Sequence, residues 1–117
     1  MATAHETSRV LAPAQRQLRE HVPEVMGSYA AMGKAALSDG ALPARFKELI
    51  ALAIAATREC DGCIASHARG AARQEATEQE VAEAMGVVIL MNGGPGTVWG
   101  PRALAAYREF AGKEQSD

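Results

Sequence analysis

Leu49-Ile50-Ala51-Leu52-Ala53-Ile54-Ala55-Ala56 is an unbroken apolar run, and Pro43 stands just ahead of it. A proline in the first turn of a helix gives up no intrahelical bond. Ala44 to Thr57 therefore reads as a helix that is apolar on every face. A single apolar stripe packed on one partner cannot account for it. Such a helix belongs at the centre of a bundle or at an interface between subunits.

Outward from that helix the chain continues to read as helical. Alanine fills 25 of the 117 positions, and β-branched or aromatic residues never alternate over a strand length. The fold class expected is all-α, with about six helices. Toward the N-terminus, Ser38-Asp39-Gly40 is a turn, and Pro23 opens a helix to about Leu37 with Val25, Met26, Tyr29, Met32 and Leu37 inward. Before it, a helix over about Arg9 to Glu20 has Val10, Leu11 and Leu18 as a sparse apolar face; Met1 to Ser8 has little to bury and is expected to fray. Toward the C-terminus, helical character resumes at Ile64 and runs to about Gln74. Thr77-Glu78-Gln79-Glu80 has the spacing of a capping box and opens a helix to about Met91, with Val81, Ala84, Met85, Val88 and Ile89 inward. Asn92-Gly93-Gly94-Pro95-Gly96 ends it. Trp99 then falls in a Gly/Pro-rich loop, as a cover, a subunit contact or a core plug. A last helix from about Pro101 to Phe110 carries Leu104, Tyr107 and Phe110, and Gly112 to Asp117 is a polar tail.

The length suits one domain, residues 1–117. The 12 basic and 14 acidic residues leave a net charge of −2, without the basic excess of a nucleic-acid binder. The longest uncharged stretch, Ala84 to Pro101, is interrupted by glycines and does not read as a membrane span. Met1 to Glu6 is not a basic segment leading into an apolar signal core, and two cysteines do not make a secreted scaffold. A reducing, cytoplasmic setting is expected, where a Cys-x-x-Cys pair is redox-active or metal-binding rather than a static brace.

Cys60, Cys63 and His67 are spaced i, i+3 and i+7, which puts them on one helix face. Inside a regular helix i,i+3 neighbours sit about 5–6 Å apart, too far for a disulfide, whose Cβ atoms lie about 3.5–4.5 Å apart. Cys60 is therefore placed at the helix opening, where Gly62 and a non-helical entry let the backbone adjust. There the unpaired amides and the positive end of the helix dipole favour a thiolate. His67, one turn past Cys63, can pass a proton to or from it. Glu48, twelve residues before Cys60, is the one carboxylate in an apolar stretch, and when buried is a candidate proton acceptor. Glu48 beside a thiolate would be repulsive, so His67 or a water is expected between them.

Plainer readings compete. Cys60, Cys63 and His67 could be part of a zinc site, with His5, His21 or a second chain supplying the fourth ligand. The cysteines could be small packed core residues. Glu48 by itself could be the solvated edge of its helix, and His5 and His21 simple surface residues.

The combination of Glu48, Cys60-Asp61-Gly62-Cys63 and His67 resembles the AhpD-like alkylhydroperoxidase group of the carboxymuconolactone decarboxylase family. Pro43-Ala44-Arg45-Phe46-Lys47-Glu48-Leu49-Ile50 is similar to that family's entry into its core helix, and Cys63-Ile64-Ala65-Ser66-His67 to its active-site helix. The similarity spans about residues 22–106. It implies an AhpD-like helical bundle assembled as trimers or hexamers, acting as a thiol-dependent peroxidase. It further implies that Cys63 attacks, Cys60 resolves, and His67 and Glu48 relay the proton. A hydroperoxide would be the substrate and a dithiol, lipoyl or thioredoxin-like, the reductant. No flavin or nicotinamide motif is present, so no cofactor and no metal are expected. Two other readings stay open: a general disulfide oxidoreductase with weak peroxidase activity, and a non-catalytic helical assembly module with a metal clip.

Overall fold

Six helices follow one another in the computed structural model: α1 (Ala4–His21), α2 (Pro23–Leu37), α3 (Ala44–Thr57), α4 (Asp61–Arg73), α5 (Glu78–Asn92) and α6 (Gly94–Gln115). The structure describes residues 2–115, with side chains as far as 112; Met1, Ser116 and Asp117 lie outside the described residues. No strand occurs among the described residues, and the all-α expectation is met. No helix among them is long and apolar enough to cross a membrane.

α3 has the bounds read from the sequence. Asp39 closes the turn before it by accepting the Ala44 N–H at 2.7 Å, and Lys47 reaches back to the Ser38 carbonyl at 2.7 Å. Leu49, Leu52, Ala55 and Ala56 are buried while Ile50 and Ile54 are about half exposed. α3 packs on α4, α5 and α6. Most buried apolar side chains around it are alanines, among them Ala65, Ala68, Ala71, Ala103 and Ala106. Small contact residues let helix axes approach closely, so an aromatic-poor chain still closes a core. The Tyr107 hydroxyl donates to the Ala76 carbonyl and ties α6 to the turn after α4. At the start of α5 the capping box is present as expected: the Thr77 hydroxyl accepts the Glu80 N–H at 3.1 Å and the Glu80 carboxylate accepts the Thr77 N–H at 2.8 Å.

Four expectations are corrected. First, the described part of Met1 to Ser8 does not fray from Thr3 onward. Thr3 and Glu6 form another capping box, and Glu109 of α6 accepts the N–H groups of Ala4 at 2.7 Å and His5 at 3.0 Å. α1 thus begins five residues earlier than expected, with Ala4 and Thr7 buried, while Val10 and Leu18 are largely exposed. Second, α2 buries no residue. Val25, Tyr29 and Met32 point outward, at 64%, 70% and 64% exposure, because no other element among the described residues covers that face. Third, α6 begins at Gly94. Gly93, at φ 68°, makes the break alone, and Pro95 sits in the first turn, where it displaces no bond. A β-carbon at Gly96 would press on the backbone of Ile89, so glycine there lets α6 leave close against α5. Gly112 to Gln115, expected in the tail, continue this helix. Trp99 is therefore helical and packs against the core with the Arg102 guanidinium 4.6 Å over its ring. Fourth, Ile89 is 38% exposed, whereas Val81, Met85 and Val88 are buried.

The accessible surface is 7550 Å², against about 6,000 Å² expected for a monomer of this mass. Apolar faces of α2, α3 and α5 contribute to the surplus.

Candidate active site

The link between α3 and α4 is three residues long, and its backbone bonding places Cys60. At the end of α3 the Cys60 N–H donates to Ala55 and the Glu59 N–H to Ala56, each at 3.1 Å. Glu59 takes the left-handed conformation, φ 55°, that this pattern requires. Cys60 then caps α4, its sulfur accepting the Cys63 N–H at 3.3 Å. One residue therefore closes one helix and opens the next. Cys60 and Cys63 form a disulfide across this cap, with Cα atoms 5.2 Å apart. Cys60 is half-buried and Cys63 exposed, which sets aside the reading of two packed core cysteines.

Glu48 is 94% removed from solvent, so it is not the solvated edge of its helix. Its Oε1 lies 3.1 Å from Nδ1 of His67. The acid expected to work through the histidine is in contact with it, and the histidine stands one turn beyond Cys63 on α4. Among the described residues neither sulfur hydrogen-bonds to His67. The site thus comprises two bonded pairs, Cys60–Cys63 and Glu48–His67, joined by the four-residue step from Cys63 to His67. His5 and His21 are exposed and take no part; His5 stacks on Phe110 with ring centres 4.6 Å apart. No group of three or more His, Cys, Asp or Glu side chains among the described residues is arranged to hold a metal ion.

Sequence reasoning missed Gly70. A β-carbon at that position would fall on the Glu48 carboxylate, meeting Oε2 and Cδ at impossible range and Oε1 at 3.1 Å. The acid is therefore seated against bare backbone one turn past His67. The signal was available, because a glycine inside a helix costs about 1 kcal/mol relative to alanine and so marks a close approach. At Gly62 a β-carbon would come within 2.9 Å of Leu11 Cδ1, the end of a flexible side chain. α1 lies over the cysteine loop at that point.

Beside His67 and Glu48, a groove of about 500 Å³ runs between α1 and α4. Ser8, Leu11, Ala12 and Gln15 form its α1 wall, and Gly62, Ser66, Arg69 and Arg73 its α4 wall. A smaller apolar hollow, about 270 Å³, lies between the start of α1 and α6; none of Glu48, Cys60, Cys63 and His67 lines it.

The model of the carboxymuconolactone decarboxylase family matches residues 23–110, and the chain belongs to that family. An uncharacterized protein of Cupriavidus necator is 42% identical over 85 residues, 73% of this chain and 75% of that one. An uncharacterized Haemophilus influenzae protein is 41% identical over 91 residues, 78% of this chain and 80% of its own length. The crystal structure of an apo carboxymuconolactone decarboxylase family protein from Legionella pneumophila superposes with a TM-score of 0.88 at 33% identity, covering 92% of this chain and 96% of that one. The six-helix arrangement is thus the fold of an experimentally solved family member, in agreement with the AhpD-like resemblance.

Proposed function

We propose that the protein is a thiol-dependent peroxidase that reduces hydroperoxides through the Cys60–Cys63 pair. The observation that carries this reading is the buried Glu48–His67 contact one helical turn beyond an exposed cysteine. In the reduced protein, His67, held by Glu48, takes the Cys63 proton. The thiolate attacks the terminal oxygen of the hydroperoxide, the O–O bond breaks, and the departing alkoxide takes up a proton and leaves as alcohol. Cys63 is now a sulfenic acid. Cys60 attacks its sulfur, water leaves, and the disulfide forms. An external dithiol, lipoyl or thioredoxin-like, returns two electrons and two protons. The Cys60 cap supports the resolving step, because the Cys63 N–H at the start of α4 points at the Cys60 sulfur and stabilises negative charge there.

Exposure of Cys63 also favours a second reading, disulfide exchange with a larger partner. Comparing peroxide consumption with reduction of insulin or lipoamide disulfide separates the two. We further propose that copies associate through the apolar faces of α2, α3 and α5, as trimers or hexamers, and that residues 1–117 act as one domain in a reducing, cytoplasmic setting.

The test is mass spectrometry of the reduced, then denatured, protein after tert-butyl hydroperoxide. The expected product has lost two thiols to one intramolecular bond. Cys63→Ser should abolish turnover, and Glu48→Gln should slow it by about 100-fold, the usual size of a proton-transfer contribution. Wild-type peroxide consumption by Cys63→Ser would refute the mechanism.

A further inference from the structure

Within the groove beside His67, the two arginines of its α4 wall have no assigned use. Arg69 and Arg73 are one turn apart, so their side chains share a face. Neither has a carboxylate partner among the described residues. The Arg69 guanidinium carbon lies 5.5 Å from the centre of the Phe110 ring, within cation–π range. Ser8, Gln15 and Ser66 add polar groups to the same walls. The one carboxylate lining the groove, Glu48, is bonded to His67 and seated against Gly70, so it neutralises neither arginine.

On this basis we propose that the groove binds the carboxylate of an organic anion and holds its reactive end toward Cys63. The inference rests on the thiol-peroxidase reading and names its substrate class. Gly62 on one side of Cys63, and Ser66 and His67 on the other, line the groove, so an anion held at Arg69 and Arg73 points its far end along α4 toward that cysteine. Planar, bidentate carboxylate recognition is what arginine does better than lysine. The carboxylate could belong to the hydroperoxide or to the reducing dithiol, and the two sources are separable.

In one arm, turnover with a hydroperoxy fatty acid below its micellar concentration is compared with its methyl ester. In the other, dihydrolipoate is compared with dihydrolipoamide as reductant. The source is the arm in which the acid is favoured, by roughly tenfold in kcat/KM, the factor expected for one charge-assisted contact. That ratio should fall toward one in Arg73→Gln and in the Arg69→Gln/Arg73→Gln double variant, and should shrink at high salt. Equal rates for acid and neutral forms in both arms, unchanged by the substitutions, would overturn the proposal while leaving the peroxidase reading intact. If no peroxide is turned over, that reading fails, and the groove is tested by alkylation of reduced Cys63. The iodoacetate to iodoacetamide rate ratio, referred to dithiothreitol, should exceed one and drop in the arginine variants. A ratio that the variants leave unchanged overturns the proposal there too.

Discussion

Gly70→Ala is the substitution whose outcome most directly tests the site. In an ordinary helix interior it would stabilise the protein by about 1 kcal/mol. Here the new β-carbon falls on the Glu48 carboxylate, and Glu48 is buried at 6% exposure. The carboxylate must swing away, giving up the 3.1 Å contact with His67, or α3 and α4 must part. Forcing an extra carbon into a packed contact costs about 1–3 kcal/mol. Losing a hydrogen bond to a charged group costs about 1.5–3 kcal/mol more. After the helix-propensity gain, the net destabilisation should be about 1.5–5 kcal/mol. The assay is urea unfolding of the four proteins of a double-mutant cycle, combining Gly70→Ala with Glu48→Ala. Once Glu48 is truncated the obstruction is gone, and Gly70→Ala should turn neutral or stabilising. A Gly70→Ala effect equal in both backgrounds would mean that the glycine does not seat the acid, and the reasoning would fail.

Glu75 holds a left-handed turn, φ 61°, at the end of α4, with the Ala76 N–H bonded to Ala71 and the Glu75 N–H to Ala72. A side chain there costs about 1–2 kcal/mol, partly offset in glycine by its greater unfolded-state freedom, so Glu75→Gly should stabilise by about 0.5–1 kcal/mol; a lowered midpoint in thermal unfolding would contradict this. Glu109→Ala removes the acceptor for the Ala4 and His5 N–H groups and should cost about 1–2 kcal/mol, as loss of a helix cap does. Hydrogen exchange should accelerate in the first turns of α1; unchanged protection would show that the contact does not anchor the helix. The exposed Glu78 carboxyl is held below its ordinary range by its hydrogen bond from Arg108. Its contribution is present above the ordinary carboxylate range and disappears as pH falls through the lowered value. Glu78→Gln should therefore flatten the acid limb of the stability profile at low salt and leave it unaltered at about 1 M salt. An unchanged limb at low salt would contradict the assignment.

Much of the fold was legible where a local rule had local support. Pro43 and the run from Leu49 gave α3 its bounds, and Thr77 with Glu80 marked the start of α5. The same capping rule applied to Thr3-Ala4-His5-Glu6 would have found the start of α1. The first residues have few apolar side chains to signal this, and what holds them is Glu109, more than a hundred residues away. α2 misled for the opposite reason. Val25, Tyr29 and Met32 have a buried pattern, but no helix among the described residues covers them. Pattern reports that a face is to be covered, not by which molecule. At α6 the glycines and proline read as a loop, but one residue at positive φ suffices and the rest begin a helix.

The site residues were legible as a spacing, but the spacing alone does not say why Glu48 meets His67. Glu48 stands nine residues before the end of α3 at Thr57, and Gly70 nine residues after the start of α4 at Asp61. At 1.5 Å per residue both lie about 13–14 Å from the link. In two helices folded back on each other by a three-residue connection, those two positions face one another. His67 lies one turn nearer the thiols, within reach of the second carboxylate oxygen once the first rests against Gly70. The partner that fixes the register of Glu48 is thus a residue with no side chain. An insertion in either arm would turn Glu48 or Gly70 about 100° around its own helix and separate the two. The matched arms, set by Cys60 as both the end of one helix and the cap of the next, hold the acid, the histidine and the cysteine pair in one line along α4.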